Sequence, residues 1–150
     1  MKVNVVGKEF SEVDQAYLAG FLDADGAIMA TIEKHQEKRF GFRVRVTLKI
    51  TQRDRTVLDW FARKFKVGSI RKNRSTHDWI IRDQKIILIM LNLLKPYLKV
   101  KSPQRDLAIK ILNSKIYSRE NLQRVARLAD SLSKFNIRSK NRRSNYASMI

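Results

Sequence analysis

Asp23 and Asp25 stand two residues apart at the close of an apolar, helix-forming run, and Gly26 follows them. Acids are misplaced there. The carbonyl end of a helix carries partial negative charge, so a carboxylate in the last turn raises the energy. Asp23 can be accounted for as a cap or turn residue. Asp25 suits a hard divalent cation such as Mg2+, which favours carboxylate oxygens and keeps several of its waters. If two such helices pair about a two-fold axis, two Asp25 carboxylates converge on one symmetric site. A plain turn remains the competing account of both acids at this point.

The helix that carries them begins at Ser11-Glu12-Val13-Asp14, where Ser11 can cap and Asp14 suits the helix dipole. It runs through Gln15 to Ala24 and stops near Asp25-Gly26. Gly20 lies in its middle, at a cost of about 1 kcal/mol against Ala. With Ala16, Ala19 and Ala24 it makes a face of small side chains that admits another helix at close range. That second helix can belong to the same chain, or to a second copy in an isologous pair.

Ala27 to Gln36 is β-like. Beyond it, Phe40, Phe42, Val44, Val46, Leu48 and Ile50 alternate with Gly41, Arg43, Arg45, Thr47, Lys49 and Thr51. Period-2 alternation predicts a strand with one buried and one wet face. Asp54 to Phe65 reads as a helix with Val57, Leu58, Phe61 and Phe65 on one stripe. Val67–Asn73 and His77–Arg82 form a hairpin around Arg74-Ser75-Thr76, and Gln84–Leu94 is an apolar helix ended by Pro96. Ser102-Pro103 opens a further helix with Leu107, Ala108, Ile111 and Leu112 inward. A last helix starts at Ser118 or Arg119 and buries Leu122, Val125, Leu128, Ala129, Leu132 and Phe135. Trp60, Phe61, Phe65 and Trp79 are expected in the core. The order α-β-β-α-β-β-α, then two more helices, predicts one α+β domain over residues 1–150 with a four-stranded antiparallel sheet.

Composition narrows the partner. The chain has 150 residues, 43% hydrophobic, with 32 Lys and Arg against 14 Asp and Glu, for a net charge of +18. Such an excess repels itself unless an anionic partner relieves it, and nucleic acid gains further from counterion release. The wet face of the second strand carries Arg43, Arg45 and Lys49, neighbours that tolerate one another if they meet phosphates and base edges. The tail from Asn136 to Ile150 adds Arg138, Lys140, Arg142 and Arg143 and no acid. Ribosomal proteins share this charge, so charge alone does not specify an enzyme. Cysteine is absent, which removes disulfide and thiolate metal frameworks. Only His35 and His77 are present, without zinc spacing. No run is of signal-peptide or membrane-spanning type, so an intracellular location without a membrane partner is expected.

Leu18-Ala19-Gly20-Phe21-Leu22-Asp23-Ala24-Asp25-Gly26 resembles the motif of the LAGLIDADG homing endonucleases, with Phe21 and Leu22 as conservative departures. The surrounding element order is similar to that family's core. The resemblance implies a metal-dependent nuclease that cuts both strands of a long, near-palindromic DNA site and leaves short 3′ overhangs. One motif implies a homodimer, with Ala16, Ala19, Gly20 and Asp23 of the motif helix at its interface. Asp25, joined by the Ala24 carbonyl, then binds Mg2+; Mn2+ substitutes, and Ca2+ binds without supporting cleavage. Ile50-Thr51-Gln52 resembles the segment whose Gln orders water at the site, which implies that role for Gln52. Pro96-Tyr97-Leu98-Lys99-Val100-Lys101 resembles the segment that supplies a charge-stabilising lysine, at Lys101 and not its neighbour Lys99. A further basic group near the second helix has no clean match among Arg53, Arg55 and Thr56.

DNA reading would fall to a saddle-like sheet in the major groove, where alternate side chains meet base edges. The candidates are Met29, Thr31, Glu33 and His35 on the first strand and Arg43, Arg45, Thr47 and Lys49 on the second. Arg71, Asn73 and Asp78 on the hairpin join them, with Lys140 and Arg142 of the tail against the backbone. Two other readings share the fold: an RNA-binding maturase acting on its intron RNA, and a non-catalytic DNA-binding regulator. Retention of both Asp23 and Asp25 favours the enzyme.

Overall fold

A computed structural model describes residues 10–136 and 145–150; Arg138, Lys140, Arg142 and Arg143 lie outside the described residues. The first helix, α1, spans Glu12–Asp25, and its N-cap Ser11 accepts a hydrogen bond from the Asp14 amide at 3.1 Å. It passes into β1 (Gly26–Lys34) without a loop. Gly26 makes that junction possible. Its amide bonds the Leu22 carbonyl, and a Cβ there would lie 2.6 Å from Leu22 Cδ1 and 2.8 Å from the Leu22 backbone.

Then follow β2 (Phe42–Gln52), α2 (Thr56–Phe65), β3 (Ser69–Asn73), β4 (Thr76–Ile81), α3 (Gln84–Leu94), α4 (Ser102–Asn113), α5 (Arg119–Phe135) and a 3-10 turn at Ala147–Met149. The four strands form one sheet in the order β1-β2-β4-β3. β4 pairs antiparallel with β2, placing Ile50 opposite Trp79 and Gln52 opposite His77, and antiparallel with β3, placing Ile70 opposite Trp79. The α+β order expected from the sequence is present, with boundaries shifted by a few residues. Phe40 lies before β2, in the turn that closes when the His35 amide bonds the Gly41 carbonyl. α2 starts at Thr56 because the Asp54 carboxylate accepts from both the Thr56 amide and its hydroxyl.

The chain divides into two compact units. One takes the described residues up to Ala27 together with Thr47–Ser102. Its core joins Leu18 and Leu22 of α1 to Leu48, Ile50, Trp79, Ile81, Met90 and Leu94. Phe61 stacks on Trp79 with ring centroids 5.4 Å apart, and the Trp79 indole N–H donates to the Val67 carbonyl. The other unit takes Ile28–Val46 together with the described residues from Pro103 onward. It buries Ile28, Ala30, Ile32 and Val46 along with Ala108 and Ile111 of α4 and Leu122, Val125, Ala126, Ala129 and Leu132 of α5. Several expectations are corrected in this unit: Leu112 and Leu128, expected inward, are only half-buried. Phe135 is exposed at the end of α5, and Gln104 and Arg105 take buried positions on α4 where Leu107 is only half-buried.

Candidate active site and nucleic-acid interface

The two aspartates of α1 have separate fates. The Asp23 carboxylate accepts the Lys99 amide at 2.8 Å on one oxygen and the Lys101 amide at 3.0 Å on the other. The Lys101 ammonium returns to the Asp23 backbone carbonyl at 2.6 Å. One acid thus fastens the segment before α4 to the end of α1. The buried Lys101 answers one of the carbonyls that every helix leaves without an intrahelical partner. The Asp23 carboxylate thus bonds within its own chain.

Asp25 is exposed, and its Oδ2 accepts a hydrogen bond from the Gln52 amide at 2.7 Å. β2 delivers Gln52 to the helix end, so two of the three expected catalytic groups touch. Lys101 is tied to the same final turn of α1 through the Asp23 carbonyl. Asp25 and the last-turn carbonyl of Ala24 are oxygen donors of the kind a hard divalent ion takes. Among the described residues no group of three or more His, Cys, Asp or Glu side chains could hold a metal ion. A single protomer thus offers the right donor type and too few donors.

An open hollow next to Gln52 is lined by Tyr17, Asp54, Thr56, Val57 and Trp60 as well. Sequence reading missed the role of Asp54, although Asp-x-Thr before a helix is a capping signal. The Thr56 hydroxyl and then its amide hold the Asp54 carboxyl below the usual carboxylate range. Arg55 is engaged by Asp59 one turn on, through Nε at 3.1 Å and a terminal nitrogen at 3.0 Å. Asp59 raises the Arg55 pKa, and Arg55 lowers that of Asp59.

The small-residue face of α1 is resolved into two sides. Ala19 is fully buried in its own unit, so its expected place at a dimer interface is corrected. Ala16, Gly20 and Ala24, spaced by four, are exposed, with Val13 and Tyr17 exposed near them. Among the described residues no atom lies within 4 Å of a Cβ built at Gly20. Packing among the described residues therefore gives no reason for a glycine in mid-helix.

On β1, Met29, Thr31 and Glu33 are half-buried and alternate with buried Ile28, Ala30 and Ile32, the phase the sequence predicts. His35 falls just past the strand. Arg43, Arg45, Thr47 and Lys49 are likewise half-buried on β2. Glu33 Oε1 accepts from Arg43 Nε at 2.8 Å, from an Arg43 terminal nitrogen, and from Arg45 at 3.1 Å. The Arg43 bond is the main reason the Glu33 carboxyl sits below its usual range; burial opposes the shift. On the hairpin, Arg71 and Asn73 are exposed. Asp78 is 5% exposed, and its carboxylate accepts from the Thr51 hydroxyl at 2.6 Å and the Asn73 amide at 3.2 Å. The expectation that Asp78 reaches a base edge is corrected: it is covered, and it holds Thr51 and Asn73.

A helix delivers an acid from its C-terminal turn to the end of a β-strand, and the sheet that follows carries a face with Arg43, Arg45 and Lys49. The chain belongs to the LAGLIDADG endonuclease family, whose sequence profile matches residues 18–113. It is 37% identical over 98 residues to DNA endonuclease I-CreI of Chlamydomonas reinhardtii, spanning 64% of this chain and 60% of that protein. It is 31% identical over 123 residues to DNA endonuclease I-CvuI of Chlorella vulgaris, spanning 78% of this chain and 76% of that protein. A crystal structure of I-CvuI in complex with the I-CreI target in 2 mM Mg, with the DNA not cleaved, matches with a TM-score of 0.81 and 27% identity. That match covers 90% of this chain and 88% of the other. The archaeal intron-encoded I-Vdi141I, complexed with DNA, shares the fold at a TM-score of 0.79 and 21% identity, over 92% of this chain and 94% of the other.

Proposed function

We propose that this chain is a homing endonuclease that cuts both strands of a specific DNA site as a homodimer with a divalent metal ion. The observation that carries the reading is the exposed Asp25 carboxylate held by Gln52 at the end of the motif helix, while Asp23 is committed to structure. The relatives are DNA endonucleases by name. I-CvuI has also been crystallised on its own target in 2 mM Ca, besides the Mg complex. These support the use of a divalent ion. That Mg2+ is the working ion, that Mn2+ substitutes and that Ca2+ binds without cleavage belong to the proposal.

Asp25 and the Ala24 carbonyl would hold the ion, and an isologous second copy would add its own pair of donors. Gly20 supports that pairing, since among the described residues the missing Cβ serves no contact within the protomer. The paired face is Ala16, Gly20 and Ala24. When bound, the ion neutralises phosphate charge and lowers the pKa of water. Gln52 orients the Asp25 carboxylate, and through its remaining amide groups it orients water. Lys101, fixed by the Asp23 carbonyl, sets a positive charge at the corner where the phosphodiester gains negative charge in the transition state. Base reading falls to Met29, Thr31, His35, Arg43, Arg45, Thr47, Lys49, Arg71 and Asn73, with Lys140 and Arg142 on the backbone. Among the described residues no helix is long and apolar enough to cross a membrane. The place of action is wherever the host DNA lies inside the cell.

The test is incubation with a randomised duplex library and Mg2+, beside an EDTA control, with sequencing of the ends. One long, near-palindromic site cut to short 3′ overhangs only with metal is the expected result. Tight binding without cutting in any divalent metal would replace the enzyme with a DNA-binding regulator.

A further inference from the structure

Glu33 is an acid on a face that carries Arg43, Arg45 and Lys49 and that is expected to meet a polyanion. Against the phosphate backbone it opposes binding, since it repels phosphates and cancels one of the charges whose counterion release favours the complex. Its geometry gives another reason for its presence. Three guanidinium N–H groups from two arginines converge on the single oxygen Oε1. A guanidinium has five N–H donors in a rigid plane. Arg43 commits two of them and Arg45 one, so each keeps donors for a second acceptor while its plane is fixed by the first. The two arginines lie two residues apart on one strand and point to the same side. All three side chains remain 28–40% exposed, so the fork is open to a ligand.

We infer that Glu33 is a positioning residue that sets the Arg43 and Arg45 guanidiniums to select guanine at two positions of each DNA half-site. The inference rests on the DNA-cutting reading above and deepens it. Guanine is the base that offers two adjacent acceptors, O6 and N7, in the major groove, and a guanidinium held in a fixed plane can meet both at once. An arginine free to rotate still meets any phosphate, so loss of Glu33 exchanges selectivity for general affinity. An ordinary surface ion pair would show no such exchange, because its removal changes little beyond a small stability term.

The experiment selects binding sites from a randomised duplex library with wild type, Glu33→Gln, and the Arg43→Lys/Arg45→Lys double variant, and measures affinity for unrelated duplex against salt. Wild type is expected to select guanine at two positions of each half-site. In Glu33→Gln the preference there falls about tenfold, which is within the discrimination one bidentate pair supplies. The same variant binds unrelated DNA more tightly, and its plot of log affinity against log salt steepens by about 0.9. The double lysine variant keeps charge and loses planarity, so it loses the guanine preference with the salt slope of wild type. Site-selective wild type whose base profile is unchanged in Glu33→Gln overturns the inference and leaves the endonuclease reading intact. Wild type that selects no duplex overturns both.

Discussion

The corner around Asp25 and the face around Glu33 are both organised by acids, and by different means. At the corner, Asp23 binds backbone amides of Lys99 and Lys101, and Lys101 binds a backbone carbonyl in return. Backbone groups have no rotamers, so one half of each of these bonds is as fixed as the chain itself, although the Gln52 bond to Asp25 joins two side chains. Around Glu33 the partners are two long, half-exposed guanidinium side chains. Each can be exchanged without disturbing the strand that carries it. The chemistry of a phosphodiester is the same at every site, whereas base sequence is not. A corner held by backbone and a face held by side chains suit a protein with one reaction and an adjustable target.

The largest break in that comparison is expected from Asp25→Asn. It removes the donor and no base contact, so cleavage of the selected site falls below detection while specific binding is retained in a gel-shift assay. Undiminished cutting would transfer the catalytic role elsewhere, with Asp23 excluded by its backbone bonds. Next comes Lys101→Met, expected to slow single-turnover cleavage about 100- to 1,000-fold. Lys99→Met serves as its control, because only the Lys99 backbone touches Asp23. If the control were the slower of the two, the roles of the neighbours would be exchanged. Gln52→Ala is expected to cost about 10- to 100-fold, the range for a residue that orients a metal ligand.

Much of this was legible in the sequence, and the failures have a common origin. Alternation along β1 and β2 gave the phase correctly, because period 2 leaves only two, and Val46, Leu48 and Ile50 are buried as expected; Phe42 and Val44, nearer the start of β2, are only half-buried. The start of α1 at Ser11 and the Gln84–Leu94 helix were readable from cap and breaker chemistry. The inward side of α1 was not. Ala16, Ala19, Gly20 and Ala24 are equally small, so composition does not say which of them is buried, and only packing against the core turns Ala19 inward. Asp78 misled for a related reason: its place on the strand is correct, but Thr51 and Asn73, from two other strands, close over it. The Asp23 bonds to Lys99 and Lys101 join residues more than seventy positions apart and leave no local trace. Lys101 was found through a resemblance of the Pro96–Lys101 segment and not through any pattern of spacing.

Smaller effects sharpen the comparison. Gly20→Ala fills open space within the protomer, so the isolated protomer should gain about 1 kcal/mol in thermal or urea unfolding at low concentration. The same change should weaken self-association in sedimentation, and Gly20→Leu should prevent it. A stable Gly20→Leu dimer would place the interface on another surface. The smallest effect is electrostatic. The Glu33 carboxyl is depressed by Arg43, so its contribution to folding is present above its unfolded pKa. That contribution is lost only as pH falls through the folded value. Carbon-detected titration should show Glu33 protonating below the ordinary glutamate range in wild type and returning toward it in Arg43→Ala.

The most direct test of the central claim is an X-ray structure of the chain on its selected target with Mn2+, the metal located by its anomalous signal. Signal bonded to Asp25 carboxylates from two copies, where the motif helices pair through Ala16, Gly20 and Ala24, is the expected result. Signal at other acids such as Asp54 or Asp59, with none at Asp25, would contradict it.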